Sequence, residues 1–312
     1  MKRVLALYFS QTGQLGIALD SMLSGLDPQE FEVHVEAIRP TPAYPFPWTL
    51  GEFIGVFPES VLGIAPGVET PSFDPDSEWD LVILGYTVWY LAPSLPIQGF
   101  LQSDYARVLR GKPVVTLVAC RNMWHTASER MKRDLVKLGA ELSDNVVVTD
   151  EGPTWATFVS TPRWMFTGKR DRFLRVFPPA GVSETTIEGL SRFGEALSAR
   201  SDELGTRPVG PLLTGLGAVE VEERFVVPEL IALVSFPPWA KLAVLSGPAG
   251  SIGRAFTLTL FALYLIFAIL ILIPVSIILR LLLYPFVAGP LRAYIERLRS
   301  PSGIAATEPD HH

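Results

Sequence analysis

The chain has 312 residues, of which 48% are hydrophobic and 19% charged, and this balance excludes an intrinsically disordered protein. Its 26 basic and 32 acidic residues leave a net charge of −6, which argues against a general nucleic-acid-binding surface. One cysteine, Cys120, excludes an intramolecular disulfide and a cysteine zinc centre. Four histidines, two of them the terminal His311 and His312, leave only His34 and His125 in the body, so no metal site is expected. Twenty-seven prolines imply long, stiffened connections. The mean hydropathy of +0.31 is high, and the excess sits near the C-terminus.

Met1-Lys2-Arg3 precedes only six apolar residues, Val4 to Phe9, too short a run for a secretory signal core. A buried parallel strand suits it better, and a cytoplasmic location is expected. A helical pattern follows through Leu15, Leu19, Met22 and Leu23. Phe31 to Ile38 alternates apolar with polar residues, as an edge strand does. Trp79 to Gly85 and Lys112 to Ala119 read as buried strands, Ile97 to Leu109 and Thr126 to Leu138 as helices, and Asn145 to Val148 as a fifth strand. Five strands alternating with helices predict an α/β fold with a doubly wound parallel sheet. Ligands of such sheets sit beyond the C-terminal strand ends.

Three strand-end loops therefore carry the candidate chemistry. Ser10-Gln11-Thr12-Gly13-Gln14 offers hydroxyls, free backbone N–H groups and the positive end of a helix, as a phosphate monoester requires. The loop lacks the Lys-Ser/Thr of a triphosphate loop and the three glycines of a dinucleotide fingerprint. Thr87-Val88-Trp89-Tyr90 places two aromatic rings where they could stack on a flat heterocycle, or else plug the space beneath a helix. Cys120-Arg121-Asn122-Met123-Trp124-His125 gathers a thiol, a cation, an amide, an indole and an imidazole. In that loop Cys120 and His125 are the candidate catalytic residues, although a lone strand-end cysteine is more often part of a core.

The segment Leu7 to Gln14 resembles the flavodoxin phosphate loop, and Gly85 to Tyr90 resembles the flavin-ring loop of that superfamily. The resemblance covers about residues 2 to 150 and implies FMN as cofactor. By that resemblance, Ser10 to Gln14 would hold the ribityl phosphate, Thr87 to Tyr90 would contact the ring, and Asn122 and Trp124 would lie near its other edge. Leu15 departs from the pattern, standing where flavodoxins usually carry a phosphate-binding threonine. Two further segments, Tyr44 to Val61 and Thr154 to Val182, together with Tyr8 to Leu15, resemble bacterial proteins named dialkylresorcinol condensing enzymes. That name implies joining two fatty-acid-derived chains into an aromatic lipid, with Cys120 as the acyl acceptor. The residues themselves favour flavin redox chemistry on a lipidic, polyketide-like or quinone-like substrate. A non-catalytic, membrane-docked partner is the third alternative.

Ala255 to Leu279 contains no charged residue and is long enough to span a bilayer. Arg254 precedes it, and Arg280, Arg292, Arg297 and Arg299 follow it. The positive-inside bias would keep the C-terminus with the sheet domain, so a hairpin broken near Pro274, or a re-entrant element, is expected rather than one span. Pro228 to Leu245 is expected at the interface. The expected organisation is a flavodoxin-like domain over 1–200, with inserts at about 40–75 and 152–182, and a linker with an interfacial segment over 201–254. A membrane segment over 255–291 and a basic end with a disordered tail over 292–312 complete it. The expected place is the cytoplasmic face of the inner membrane, with an electron donor or biosynthetic enzymes as partners.

Overall fold

A computed structural model describes residues 1–205, 209–272, 275 and 289–302. Five strands form the main sheet: β1 (Lys2–Tyr8), β2 (Phe31–Ala37), β3 (Leu81–Tyr86), β4 (Pro113–Cys120) and β5 (Glu141–Thr149). All neighbouring pairs are parallel, in the order β2-β1-β3-β4-β5, with Val4 opposite both Val33 and Leu81. This 2-1-3-4-5 winding reverses direction between β1 and β3, and that switch point opens a crevice at the carboxyl ends of both strands. The fold is flavodoxin-like.

Alternation along each strand builds two core layers. Val4, Ala6, Leu81 and Ile83 face α1 (Gln14–Ser24), where Leu15, Leu19 and Met22 meet them. Leu5, Leu7, Val82 and Leu84 face the opposite layer, with Phe100, Met131 and Leu135. The insert between β2 and β3 folds into α2 (Leu50–Gly55), started by a capping box in which Thr49 and Glu52 bond reciprocally, and α3 (Phe57–Leu62). The helix expected over Ile97 to Leu109 is shorter: α4 (Leu95–Gln102) ends at Ser103 and a 3₁₀ turn carries the chain to Leu109. Next come α5 (His125–Lys137), α6 (Thr154–Thr167), α7 (Glu184–Glu188) and α8 (Ser191–Ala199). Phe193 and Leu197 of α8 complete the layer around α1.

The first part of the stretch expected as a linker with an interfacial segment packs against the sheet. Residues 209–219 cover the free edge of β5: the Asp144 carboxylate accepts the N–H groups of Leu212 and Leu213 at 2.9 Å, and Val147 N–H donates to Ala218. Leu212 and Leu213 thereby enter the core. An edge strand presents unpaired backbone groups, and this segment takes up one of them, the Val147 N–H.

Two apolar helices follow, α9 (Glu223–Leu245) and α10 (Ile252–Phe267), and each lies in a helical run long and apolar enough to cross a membrane. They pack on each other and on α3, through a cluster of Phe57, Phe236, Ala240 and Phe261. The rings of Phe57 and Phe261 are stacked 3.5 Å apart. Arg254, in the first turn of α10, is only 5% exposed because it bonds both Glu59 carboxylate oxygens at 2.6 Å. After the apolar run the chain returns to the sheet. Residues 289–299 are helical, Leu291, Ile295 and Leu298 pack with Val226, and Arg297 pairs with Glu129 at 2.6 Å. Ser302 is fully buried between Asp144 and the N–H of Asn145, and the tail expected to be disordered lies beyond it. Pro274, Arg280 and residues 303–312 lie outside the described residues.

Candidate functional site

The crevice at the β1/β3 switch point is a cavity of about 300 Å³. That is the lower end of the usual size of small-molecule sites, roughly 300–1,000 Å³. Its floor comes from the turn after β1: Ser10, Gln11, Thr12, Gln14 and Leu15. One wall is the turn after β3, Thr87 to Tyr90, and the other is the end of β4, with Ala119, Cys120 and Arg121. Trp48, Phe53 and Val56 from the first insert, and Thr161, Pro162, Trp164 and Met165 from α6, complete the enclosure. Both aromatic- and proline-rich inserts therefore border the hollow.

The turn after β1 begins α1 without a side-chain cap. Gly13 sits at φ +83°, and a Cβ there would meet nothing within 4 Å. The first-turn N–H groups of α1 have no intrahelical partner, so the helix presents donors and positive potential at this end. Ser10 Oγ is buried and unpartnered, the kind of orphaned polar atom that a bound oxyanion satisfies. Gln14 departs from expectation. Its side-chain N–H donates to the Val182 carbonyl at 2.9 Å and its carbonyl accepts Val182 N–H at 3.0 Å, so only its backbone faces the loop's task. The fit is tight enough that a Cβ on Gly181 would lie 2.5 Å from the Gln14 amide oxygen. Leu15 is 3% exposed and borders the cavity without closing it.

The turn after β3 is held by a two-residue antiparallel pair, Val88 with Pro93 and Trp89 with Ala92. Within it Tyr90 and Leu91 adopt φ of 48° and 64°, uncommon for residues with side chains. Edge-on rings of Phe9, Tyr44 and Trp48 surround Trp89, the latter two at 5.1 Å, and the Tyr90 hydroxyl donates to the Phe53 carbonyl at 2.8 Å. The two aromatics thus line the cavity as fixed walls, locked by the insert. Trp48 Nε1 is buried without a partner.

At the end of β4 the sequence expectation divides. Cys120 and Arg121 border the cavity, whereas Asn122, Trp124 and His125 do not. The Asn122 amide donates to Glu222 at 3.2 Å, and Trp124 is 2% exposed within the sheet's core layer. His125 is 1% exposed, its Nδ1 paired at 2.6 Å with Glu229 of α9. Sequence could not show this, because Glu229 lies 104 residues away on a helix that reads as a membrane element. The Cys120 thiol, whose hydrogen-bond partner is the Asn122 carbonyl, is pushed up by burial and further by the Glu229 charge. A thiol pushed up in this way is a poor nucleophile. Arg121 supplies the cavity's positive charge; burial pushes its guanidinium below its ordinary value, and nearby Asp150 opposes that. Asp150, which fastens Gly152 and Gly181 by their N–H groups, is a cavity residue the sequence reading passed over, although it directly follows β5. The strand-end rule that found the other loops would have found it.

No protein-family model matches the chain, and no curated protein matches it. Solved structures do. A flavoprotein of Lactobacillus acidophilus in complex with FMN is 14% identical, aligned over 47% of this chain and 93% of its own, with a TM-score of 0.38. A flavodoxin from the domain Archaea is 10% identical over 64% of this chain and 99% of its own, with a TM-score of 0.37. The Paracoccus denitrificans flavoenzyme FerB, an NAD(P)H:(acceptor) oxidoreductase, is 18% identical over 64% and 96%, with a TM-score of 0.32. The similarities found give no support to the dialkylresorcinol condensing enzymes.

The buried hydroxyls around the cavity make the protein sensitive to alkali. Burial raises Tyr90 and Tyr86 well above the ordinary phenol, and burial with the Glu59 charge takes Tyr44 to about 12. In the unfolded chain the thiol ionises near about 8.5 and the phenols near about 10. The stabilisation from keeping these groups neutral is therefore fully present below those values and is lost as pH rises above them. Between about pH 9 and 12 the unfolding midpoint should fall, with tyrosinate absorbance rising in step with loss of structure. Smooth titration of all eight tyrosines at constant thermal stability would contradict this.

Proposed function

We propose that the chain is a membrane-attached, flavodoxin-like FMN-binding oxidoreductase acting on a lipidic, polyketide-like or quinone-like substrate. The observation that carries the reading is the cavity at the switch point, bounded by an uncapped helix N-terminus with the orphaned Ser10 hydroxyl on one side and by fixed aromatic walls on the other. Ser10, Thr12, Gly13 and the first-turn N–H groups would hold the phosphate, and Thr87 to Tyr90 would face the ring. FMN, when bound, supplies hydride or single-electron transfer. The chain supplies the rest. Trp48, Phe53, Trp164 and Met165 exclude water, which strengthens every charge interaction inside. The Arg121 guanidinium, on the cavity wall, would offer positive charge to a reduced ring. Burial and the Glu229 charge push the Cys120 thiol up, and that argues against carbon–carbon condensation through an acyl-thioester.

Membrane attachment rests on the exposed apolar faces of α9 and α10, where Val234, Leu245, Ile252, Phe256 and Leu263 are each more than half exposed. Leaving such side chains in water costs about 1.5–3 kcal/mol each. The two flanks of the apolar stretch are held on one body, by Arg254–Glu59 at its start and by Arg297–Glu129 and Ser302–Asp144 at its end. A single crossing would separate those flanks by a bilayer, so a hairpin or re-entrant path is the supported topology. Docking places the ends together; Arg254, Arg297 and Arg299 are all neutralised in ion pairs. The reading sets the sheet domain on the cytoplasmic face of the inner membrane.

The test is the full chain purified in mild detergent and titrated with FMN. The expected result is a yellow protein that quenches flavin fluorescence saturably at one equivalent. Absence of saturable quenching overturns the flavin reading and favours the non-catalytic one, which the donor-less Leu15 in the loop already motivates.

A further inference from the structure

Helix α6 is amphipathic the wrong way round for a helix on a soluble domain. Its inward face carries Ala156, Thr157, Ser160 and Trp164, while Trp155 and Val159 face solvent, Trp155 being 59% exposed, and Phe158 is 39% exposed with the Arg121 guanidinium over its ring. The loop that follows continues the surface. Phe173 and Phe177 bond each other's backbones across a tight tip, with Leu174 and Arg175 at positive φ, and the Phe177 ring lies 5.7 Å from Trp155. At that tip Leu174 and Val176 are 68% and 63% exposed. Around them stand Lys169, Arg172 and Arg175, all exposed; Lys169 lies near Asp171, and Arg172 and Arg175 make no ion pair with another described residue. The one acid between residues 163 and 176, Asp171, is already taken by Arg163 at 2.9 Å. Apolar side chains projecting among exposed cations are the features of a helix or loop seated in the interface of an anionic bilayer.

This surface is also continuous with the apolar hairpin. Phe166 at the end of α6 meets Phe53 of α2 at 5.7 Å, and Arg254 at the start of α10 donates to the Gly55 carbonyl at the end of α2. The cavity rim is built from these same parts, Pro162 and Met165 on one side and Phe53 and Val56 on the other. We propose that α6 and the 168–177 tip form a second membrane contact, specific for anionic phospholipid, which presses the cavity mouth against the bilayer so that a lipidic substrate enters without crossing water. The proposal rests on the membrane reading above and adds to it a lipid charge preference and an orientation.

The experiment uses the full chain in nanodiscs, with an environment-sensitive fluorophore on Leu174→Cys and, in a separate preparation, on Leu263→Cys of α10. Both preparations carry Cys120→Ser, because Cys120 is only part-buried and lines the cavity, so the introduced thiol alone takes the label. In discs containing phosphatidylglycerol the label at 174 should shift to the blue and be quenched by lipid-borne nitroxide. Pure phosphatidylcholine, or the added pair Arg172→Gln and Arg175→Gln, should remove at least half of that shift. A label at 174 that stays in water while the label at 263 is shielded overturns this proposal and leaves the hairpin reading intact. Both labels in water overturn both. Equal shielding at 174 in neutral and anionic discs overturns the charge preference that defines the proposal. Shielding that needs no lipid and grows with protein concentration assigns the patch to a second copy and overturns it too.

Discussion

Gly13→Val should weaken FMN binding by about 10- to 100-fold. Gly13 begins α1 at φ +83° with open space above its α-carbon, so the substitution meets no clash and acts through the backbone alone. A β-branched residue in that region is strained by about 1–3 kcal/mol, and each 1.4 kcal/mol is a factor of about ten in affinity. The glycine is exposed, so the variant strains the turn and loses the phosphate site rather than the fold. Ser10→Ala separates the two effects by sign. Removing a buried hydroxyl that has no partner should leave the ligand-free protein as stable or slightly more so, while FMN binds more weakly by about 1.5–3 kcal/mol for a lost bond to a charged oxyanion. Fluorescence titration and thermal unfolding on the same preparations check both. Undiminished affinity in both variants would place the ligand elsewhere.

Glu229→Ala should lower stability by about 1–3 kcal/mol for each buried donor it leaves unsatisfied. Glu229 is fully buried and accepts from Thr126 N–H at 2.6 Å, from the Thr126 hydroxyl at 2.8 Å and from His125 at 2.6 Å. Its carboxylate thus sits at the N-terminus of α5, where the helix dipole favours negative charge. Without it, His125 and the amide of Thr126 are buried without partners, and α9 loses its polar fastening to the sheet domain. Thermal unfolding in detergent and proteolysis within 220–250 would show the loss. The same variant removes a negative charge that raises the Cys120 thiol, so alkylation of Cys120 should become faster. An unchanged midpoint with unchanged alkylation would show that apolar packing alone docks the helix.

How far these sites could be read from sequence depended on how local the signal was. Each strand-end loop follows a buried strand directly, so Ser10 to Gln14 and Thr87 to Tyr90 could be placed beside one crevice without coordinates. Cys120, Asn122, Trp124 and His125 show the limit of that logic. Six consecutive residues turning into a helix point in different directions, and here only the first two reach the cavity, while Trp124 enters the core and His125 turns to α9. The inserts were visible as aromatic- and proline-rich segments that could serve as a greasy lid over a substrate or as a structural cover over the sheet. Whether Trp48 and Trp164 covered the crevice or filled it turned on ring placements at separations such as 5.1 Å between Trp48 and Trp89.

Strand periodicity, strand-end glycines and one long uncharged run were enough to determine a parallel α/β sheet, its edge strand β2, the crevice and an apolar C-terminal element, because each depends on residues adjacent in the chain. Only the tertiary structure decided that the apolar element starts and ends on the same body, that residues 209–219 pack along the edge of β5, and that His125 serves a structural pairing. Those outcomes rest on carboxylates, Glu59, Glu129, Asp144 and Glu229, each meeting a partner 68 or more residues away. Hydropathy patterns carry no record of which buried charge will find which donor, since that choice is made when the chain folds and desolvates both together.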